Sequence, residues 1–178
     1  FYKMDLKNYI RSIPDYPKKG ILFRDITTLI SNAKAYNYTI DKMVEMTKNL
    51  NIDCIVAIES RGFIFASALA YKLSKSLILI RKKNKLPADT YSEDFDLEYG
   101  SATLEIHKNS VKKNEKALIV DDLIATGGTA NASAKLVEKT GGKVESFLFV
   151  INLFDLGGKD LLEKKSYKTI SLIDFPGH

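Results

Sequence analysis

Cysteine and long apolar runs are scarce in this sequence, and each shortage narrows what the chain can be. Cys54 is the only cysteine, so no disulfide can form within the chain. Apolar neighbours at Ile52, Ile55 and Val56 predict that Cys54 is a buried strand residue, which disfavours a reactive thiol. Without a disulfide framework, the expected compartment is the cytoplasm.

Membrane and nucleic-acid partners are disfavoured by further absences. No apolar run approaches the roughly 20 residues that cross a bilayer, and residues 1–11 mix charge into their apolar positions, unlike a secretory signal. The net charge of +5 comes from scattered lysines and arginines, without the basic stripe of a duplex binder. His107 and His178 have no metal-ligand spacing and are expected at the surface.

What the sequence does contain is an alternation of apolar runs and amphipathic segments. Continuous apolar runs indicate strands covered on both faces, and their alternation with helices indicates a parallel sheet. The expected fold is a single α/β domain, 1–178, with a central, mostly parallel, twisted sheet flanked by helices. Strands are predicted at 53–58, 77–80, 117–120, 144–153 and 169–173, and helices at 4–12, 33–50, 62–73 and from the turn after residue 120 to about 139.

Residues 82–100 do not fit this alternation. The segment is polar, contains Pro87 and lacks helical periodicity. A connection of this length inside a compact domain is usually a functional lid or a disordered stretch.

The strongest motif lies at residues 120–129, where an apolar strand ends in Asp121 and Asp122 and a small-residue loop leads into a helix. Bare backbone N–H groups, two hydroxyls and the positive end of a helix dipole can together bind a phosphate. The loop residues are Ala125, Thr126, Gly127, Gly128 and Thr129. The paired acids can accept hydrogen bonds from sugar hydroxyls or help to hold a metal ion or its waters. The plainer alternative is a tight turn whose aspartates cap the helix. The sequence has neither a P-loop nor a Gly-x-Gly-x-x-Gly pattern.

This stretch resembles the phosphoribosyl pyrophosphate (PRPP) motif of the type I phosphoribosyltransferases. Segments 15–17, 20–25, 59–63, 80–82, 85–87, 97–100 and 104–106 resemble, in the same order, the adenine-specific members of that family. The resemblance implies the type I fold, with a small N-terminal base-binding hood (1–32) and a mobile catalytic lid loop (82–100). It also implies transfer of the phosphoribosyl group of PRPP to N9 of adenine, with inversion at C1′, giving AMP and pyrophosphate. The alternatives are another base, or a non-catalytic regulator that senses PRPP or a nucleotide.

The resemblance also implies roles for individual residues. The paired aspartates would contact the ribose and the loop after them would hold the 5′-phosphate. Further contacts to PRPP or AMP are expected from Ser60, Arg61, Arg81, Lys82 and Lys85. The matching arginine in the family reaches a neighbouring subunit's site, so Arg81 implies a homodimer. From position alone, Arg61 could equally be an exposed arginine, and a solvated charge cluster is the favoured interpretation of Arg81 and Lys82.

The catalytic and base-binding roles implied by the resemblance fall in the lid, the hood and one strand end. Glu98 is the candidate acid/base, with Arg61 and Tyr99 as further catalytic candidates. Adenine contacts are expected from Leu22, Phe23, Arg24 and Leu153. Phe23 could equally be a core residue and Glu98 a solvated one. Mg²⁺ is the expected cofactor, held by PRPP or pyrophosphate and water near the paired aspartates, with no direct protein ligand.

Overall fold

The computed structural model describes residues 3–97 and 99–178, which form a small N-terminal hairpin and one large sheet flanked by helices. The hairpin follows a 3₁₀ helix at Leu6–Tyr9 and pairs β1 (Arg11–Pro14) with β2 (Leu22–Asp25). The strands of the large sheet are β3 (Cys54–Ile58), β4 (Ser76–Lys82), β5 (Thr90–Asp96), β6 (Ser101–His107), β7 (Lys116–Ile124), β8 (Lys143–Leu153) and β9 (Thr169–Phe175). The helices are α1 (Thr27–Ile30), α2 (Ala33–Thr47), α3 (Arg61–Leu73), α4 (Gly128–Lys139) and α5 (Gly158–Lys164).

The large sheet has the strand order β5-β6-β4-β3-β7-β8-β9. Strands β4, β3, β7, β8 and β9 are mutually parallel, and the β5-β6 hairpin is antiparallel at one edge. The predicted α/β class with a mostly parallel sheet is therefore confirmed. Because β3 and β7 are parallel neighbours, the loops after them leave the same edge of the sheet. The strand order reverses between these two strands, which is where ligands bind in open α/β folds.

Burial explains why the central strands read as continuous apolar runs. All five residues of β3 are fully buried. Ile55 and Ala57 pack on the side of α2 and α3, while Cys54, Val56 and Ile58 pack on the side of α4. Both faces of the strand need apolar side chains, so no polar alternation survives. Burial, with help from nearby carboxylates, raises the pKa of Cys54 to about 12, as expected for an inert thiol.

The N-terminal segment differs from its prediction. A helix was expected over 4–12, but only one 3₁₀ turn forms before the chain becomes β1 at Arg11. Pairing with β2 supplies backbone partners that the sequence pattern alone does not reveal. The helix expected at 33–50 begins as predicted, where the Asn32 side chain accepts from the Ala35 N–H at 3.0 Å, and it ends three residues early, at Thr47.

Two other predicted boundaries were also wrong. Strand β7 does not end at Val120, because Asp121 to Ile124 continue to pair with β8. The polar segment expected to be an irregular lid contains β5, which pairs with β6 along its whole length. Strands β5 and β6 accordingly form a β-hairpin, which is called the lid hairpin below after the expectation for this segment. Across the described ranges, no helix has the length and apolar character needed to cross a bilayer.

Candidate active site

A cavity of about 480 Å³ opens at the carboxyl ends of β3 and β7, a size typical of small-molecule sites. It is lined by Glu59, Ser60, Arg61, Lys82, Phe95, Asp96, Leu97, Phe149 and residues 121–130. The structure thus brings the predicted residues Ser60, Arg61 and Lys82 and the whole aspartate-glycine motif to one cavity. Sheet topology causes this meeting, since β3 and β7 are adjacent and parallel.

The small-residue loop 125–129 forms one wall of this cavity. Gly127 has φ +92°, a conformation that glycine adopts without a Cβ penalty, and it precedes the first turn of α4. No side chain caps α4 through its N-cap residue, because that residue is Gly127. The first N–H groups of α4 therefore keep their capacity for an external acceptor, and the helix dipole favours an anion there.

Asp122 and Arg61 form an ion pair across the cavity floor. The Arg61 Nε donates to Asp122 Oδ2 at 2.6 Å, and Asp122 is only 4% exposed. Burial opposes the charge on Arg61, but the adjacent Asp122 outweighs it and raises the pKa of the guanidinium. The guanidinium carbon also lies 5.6 Å from the centre of the Phe23 ring, so Arg61 contacts both β2 and the paired aspartates.

The neighbouring Asp121 differs from Asp122 in its electrostatics. Burial, followed by repulsion from Asp122, raises the pKa of Asp121 well above its ordinary value. Its Oδ1 accepts from the Asp122 N–H at 2.8 Å. The paired acids thus differ in their contacts: Asp121 accepts from the Asp122 backbone N–H, whereas Asp122 pairs with the Arg61 guanidinium.

A second arginine-carboxylate pair lies at the ends of β3 and β4. The Arg81 Nε donates to Glu59 Oε1 at 2.8 Å, and the side chain of Glu59 is 8% exposed. Burial raises the pKa of Glu59, but hydrogen bonds from Arg81 and the Lys82 N–H outweigh it and the pKa is lowered. Glu59 and Lys82 line the cavity, whereas Arg81 and the exposed Lys85 do not. Sequence reasoning missed Glu59.

The lid hairpin contributes residues that sequence reasoning also missed. Phe95, Asp96 and Leu97 line the cavity, and a Cβ on Gly128 would lie 3.3 Å from the Phe95 ring. The strand therefore lies directly against the start of α4. The sequence carries no clear signal for this strand, because Glu93 stands at the position between Tyr91 and Phe95 where alternation would require an apolar residue.

Two groups of contacts hold the hairpin in place. Glu105, which is 8% exposed, accepts from the Asn84 N–H at 2.7 Å and from the hydroxyls of Thr90 and Ser92 at 2.9 Å. These bonds, the Asn84 N–H first, lower the pKa of Glu105 against the opposing effect of burial. On the other side, Lys139 of α4 forms a 2.6 Å ion pair with Glu93 and donates to the Ser92 carbonyl.

The predicted adenine residues lie outside the lining of this cavity. Leu22, Phe23 and Arg24 belong to β2, and Leu153 ends β8 with 8% exposure. The Arg24 side chain is buried, donates to Ser12 Oγ and the Pro176 carbonyl, and lies 4.5 Å from the Phe175 ring. It therefore ties the hood to the segment after β9.

The other catalytic candidates are in the lid. Glu98 lies outside the described residues. Tyr99 is 76% exposed, and its ring lies 4.7 Å from the Lys18 Nζ.

The carboxylates in the cavity are poorly arranged for a metal cage. Of the paired acids, Asp122 pairs with Arg61, and the pKa of Asp121 is raised by burial and by the neighbouring carboxylate. Among the residues that the structure describes, no group of three or more His, Cys, Asp or Glu side chains could hold a metal ion. What the donor set offers is oxygen atoms that can bind the waters of a hard cation.

Comparison with known proteins gives a consistent result. The phosphoribosyl transferase domain model matches residues 27–177. The adenine phosphoribosyltransferase of Pelagibacter ubique is 65% identical over 175 residues, covering 98% of this chain and 100% of that protein.

Solved structures of relatives share the fold. The adenine phosphoribosyltransferase of Thermoanaerobacter pseudethanolicus has a TM-score of 0.92 at 48% identity, over 96% of this chain and 98% of that one. The enzyme of Saccharomyces cerevisiae, in complex with an imino-altritol bisphosphate and adenine, has a TM-score of 0.88 at 35% identity, over 94% of this chain and 96% of that one.

Proposed function

The chain belongs to the phosphoribosyl transferase family, and we infer that its reaction is that of its adenine phosphoribosyltransferase relatives. It transfers the 5-phosphoribosyl group of PRPP to N9 of adenine, giving AMP and pyrophosphate. The observation that supports this function best is the convergence of loop 125–129, the paired aspartates and Arg61 on one cavity.

PRPP is proposed to bind along the carboxyl edge of the sheet. Its 5′-phosphate accepts hydrogen bonds from the N–H groups and hydroxyls of loop 125–129, next to the start of α4. Its ribose hydroxyls lie over Asp121 and Asp122. Its pyrophosphate faces Ser60, Arg61 and Lys82, which line the opposite side of the cavity. Lys85 and Arg81 lie further out and are proposed to contribute mainly through their charge.

Mg²⁺ is the proposed cofactor and would be held by PRPP oxygens and by water. Asp121 and Asp122 are the protein groups proposed to bind those waters. When bound, it neutralises pyrophosphate charge. The protein's own contribution is the set of cations around the pyrophosphate, which stabilise the charge that develops as it departs.

In the chemical step, N9 of adenine attacks C1′ from the face opposite the pyrophosphate. The bond from C1′ to the pyrophosphate oxygen breaks, and the departing group keeps the electron pair. Positive charge builds on the ribose as an oxocarbenium-like transition state, and the configuration at C1′ inverts. The proton on N9 passes to a base, and we assign this role to Glu98 by family resemblance. Closure by the lid excludes water, which would otherwise attack C1′.

The base is proposed to bind between the hood and the end of β8. Phe23 and Leu22 offer apolar surface on one side, and Leu153 does so on the other. Arg24 acts in this proposal mainly through its backbone and through holding the hood, because its guanidinium is engaged by Ser12 and Pro176. Tyr99, which follows Glu98 in the lid, is proposed as a further catalytic residue.

Two further features belong to the proposal. A homodimer follows from the family resemblance, with Arg81 reaching the neighbouring site. In the single chain Arg81 pairs with Glu59 through Nε, which leaves the N–H groups on its terminal nitrogens for a neighbouring site. Light scattering on the purified protein tests the dimer. A cytoplasmic location is proposed because the sequence has one buried cysteine and no disulfide.

A direct assay tests the function. The purified protein is offered PRPP and Mg²⁺ with adenine, hypoxanthine, guanine, xanthine or orotate in separate reactions, and pyrophosphate release is measured. We expect turnover with adenine at a kcat/KM well above that for the other bases. Turnover with a different base would refute the adenine assignment, and tight PRPP binding without turnover would support a sensor.

A further inference from the structure

The phosphate loop has a second wall behind it, formed by the first turn of α5. The Gly158 N–H donates to the Ala125 carbonyl at 3.0 Å. The same turn places Leu161 Cδ2 3.1 Å from the position that a Cβ on Gly127 would occupy. Helix α5 therefore supports the loop from the side that faces away from the cavity.

The hydrogen bond from Gly158 fixes which way one loop peptide faces. The peptide between Ala125 and Thr126 is trans, so its carbonyl and its N–H point in opposite directions. Because the carbonyl points back toward Gly158, the Thr126 N–H points forward, to the side where loop 125–129 lines the cavity. A donor aimed at the proposed 5′-phosphate thus depends on a contact made behind the loop.

Position 158 has no room for a side chain. A Cβ there would lie 2.5 Å from the Ala125 carbonyl oxygen, 2.7 Å from Ile124 Cγ1 and 3.0 Å from the Gly127 nitrogen. Gly158 is the first residue of α5, where alanine has the higher helix propensity. The requirement for glycine therefore comes from close approach to the loop, and backbone conformation does not demand it.

We propose that Gly158 is a positioning residue for phosphoribosyl transfer, which sets the orientation of the 5′-phosphate loop without touching the substrate. The inference rests on the proposed function, because it assumes that the loop holds the 5′-phosphate. Gly158→Ala would push the Ala125 carbonyl forward and turn the Thr126 N–H away from the phosphate.

The adjacent Gly157 provides a matched control. It has φ +82°, which strains any other residue, but a Cβ there would meet no atom within 4 Å in the described part of the chain. Gly157→Ala therefore introduces backbone strain without contacting the loop. The two substitutions are chemically identical and adjacent, and they differ in whether the new methyl group meets the loop.

The test compares steady-state kinetics and calorimetric binding of the two variants with wild type. For Gly158→Ala we expect the KM for PRPP and the Kd for ribose 5-phosphate to rise by about 10-fold or more, as for loss of a hydrogen bond to a charged group. The KM for adenine and the Kd for pyrophosphate should stay within about twofold of wild type, since neither uses the loop. Gly157→Ala should lower the melting temperature and leave all four constants near wild type.

Leu161→Ala provides a second test that does not depend on Gly158→Ala folding. It removes a side chain from behind Gly127, which loosens the loop without overlap, and should raise the same two constants by about 3-fold or more. The inference is overturned if neither variant changes ribose 5-phosphate binding, or if adenine and ribose 5-phosphate binding weaken equally. A wild-type protein that does not convert PRPP and adenine would refute the proposed function itself, which is a separate result.

Discussion

Asp122→Asn is the substitution that tests the electrostatic design of the site most directly. It keeps the size of the side chain and removes one charge at a position that is 4% exposed. Asp122 accepts from Arg61 at 2.6 Å and is proposed to accept from a ribose hydroxyl. Both bonds weaken when the acceptor becomes neutral.

The expected loss of activity follows from the strength of such bonds. A hydrogen bond to a charged group contributes about 1.5–3 kcal/mol, so kcat/KM for PRPP should fall by about 10- to 150-fold. The expected loss of stability is smaller. The Arg61 side chain is 46% exposed, so water replaces much of its lost partner and the pair contributes at most about 1 kcal/mol.

Asp122→Asn also has an effect that increases stability, through the neighbouring Asp121. Burial and the charge of Asp122 raise the pKa of Asp121 above its ordinary 3.8. A carboxyl whose pKa is raised in the folded state costs stability as the pH climbs above its unfolded value. Removing the neighbouring charge reduces that cost at neutral pH. We therefore expect urea unfolding at pH 7 to shift by less than about 1 kcal/mol while activity falls sharply.

Asp25→Asn is the matched control. Asp25 is also buried, at 5% exposure, and also pairs with an arginine, Arg11, at 2.5 Å, but it lies outside the cavity. Its substitution should lower stability and leave kcat/KM for PRPP within about threefold of wild type. The reasoning fails if Asp122→Asn keeps wild-type kinetics, or if the two variants lose activity in proportion to their loss of stability.

Three further predictions concern single residues around the cavity. Arg61→Ala should lower kcat/KM for PRPP at least about tenfold. It should also destabilise the fold by about 1–3 kcal/mol, because Asp122 is left buried without its partner. Arg61→Lys should recover stability, measured by urea titration, more than it recovers activity. Glu105→Gln should destabilise the protein by about 1–3 kcal/mol at pH 7. That difference should vanish as the pH falls from 4.5 through the lowered pKa of Glu105, because the wild-type carboxyl contributes stability only while it is ionised. Glu98→Gln should lower kcat with little change in the Kd for PRPP, by stopped-flow and calorimetry, and an unchanged kcat would remove Glu98 from the mechanism.

The central sheet could be predicted because its signal is strong and local. Burial on both faces leaves β3 and the middle of β8 almost free of polar residues, and a strand of that kind is readable from composition alone. Loop 125–129, the proposed phosphate loop, stood out in the sequence for a related reason. Close backbone approach to an anion requires residues without bulky side chains, and the sequence must therefore show them.

The strands of the lid and the hood were harder to predict, because they contain few apolar residues. Strand β5 reads Thr-Tyr-Ser-Glu-Asp-Phe-Asp and owes its form to pairing with β6 and to Glu105 beneath it. Strand β1 likewise depends on β2. Such strands are specified by partners distant in space, so a window of sequence cannot reveal them.

The sequence also did not predict which carboxylates pair with the site arginines. Arg61 and Arg81 were predicted as cations for phosphate, and each proves to be paired with a buried carboxylate in the free protein. The pairing does not remove them from that role. Each pair is made through Nε, at the base of the guanidinium, and the side chains remain 46% and 32% exposed. A guanidinium carries four more N–H donors on its terminal nitrogens, so a carboxylate can hold it in orientation while a phosphate binds the other edge. Under the proposed function, the two carboxylates fix the arginines in advance, so that PRPP does not have to order them on binding and the entropic cost of recognition is lower.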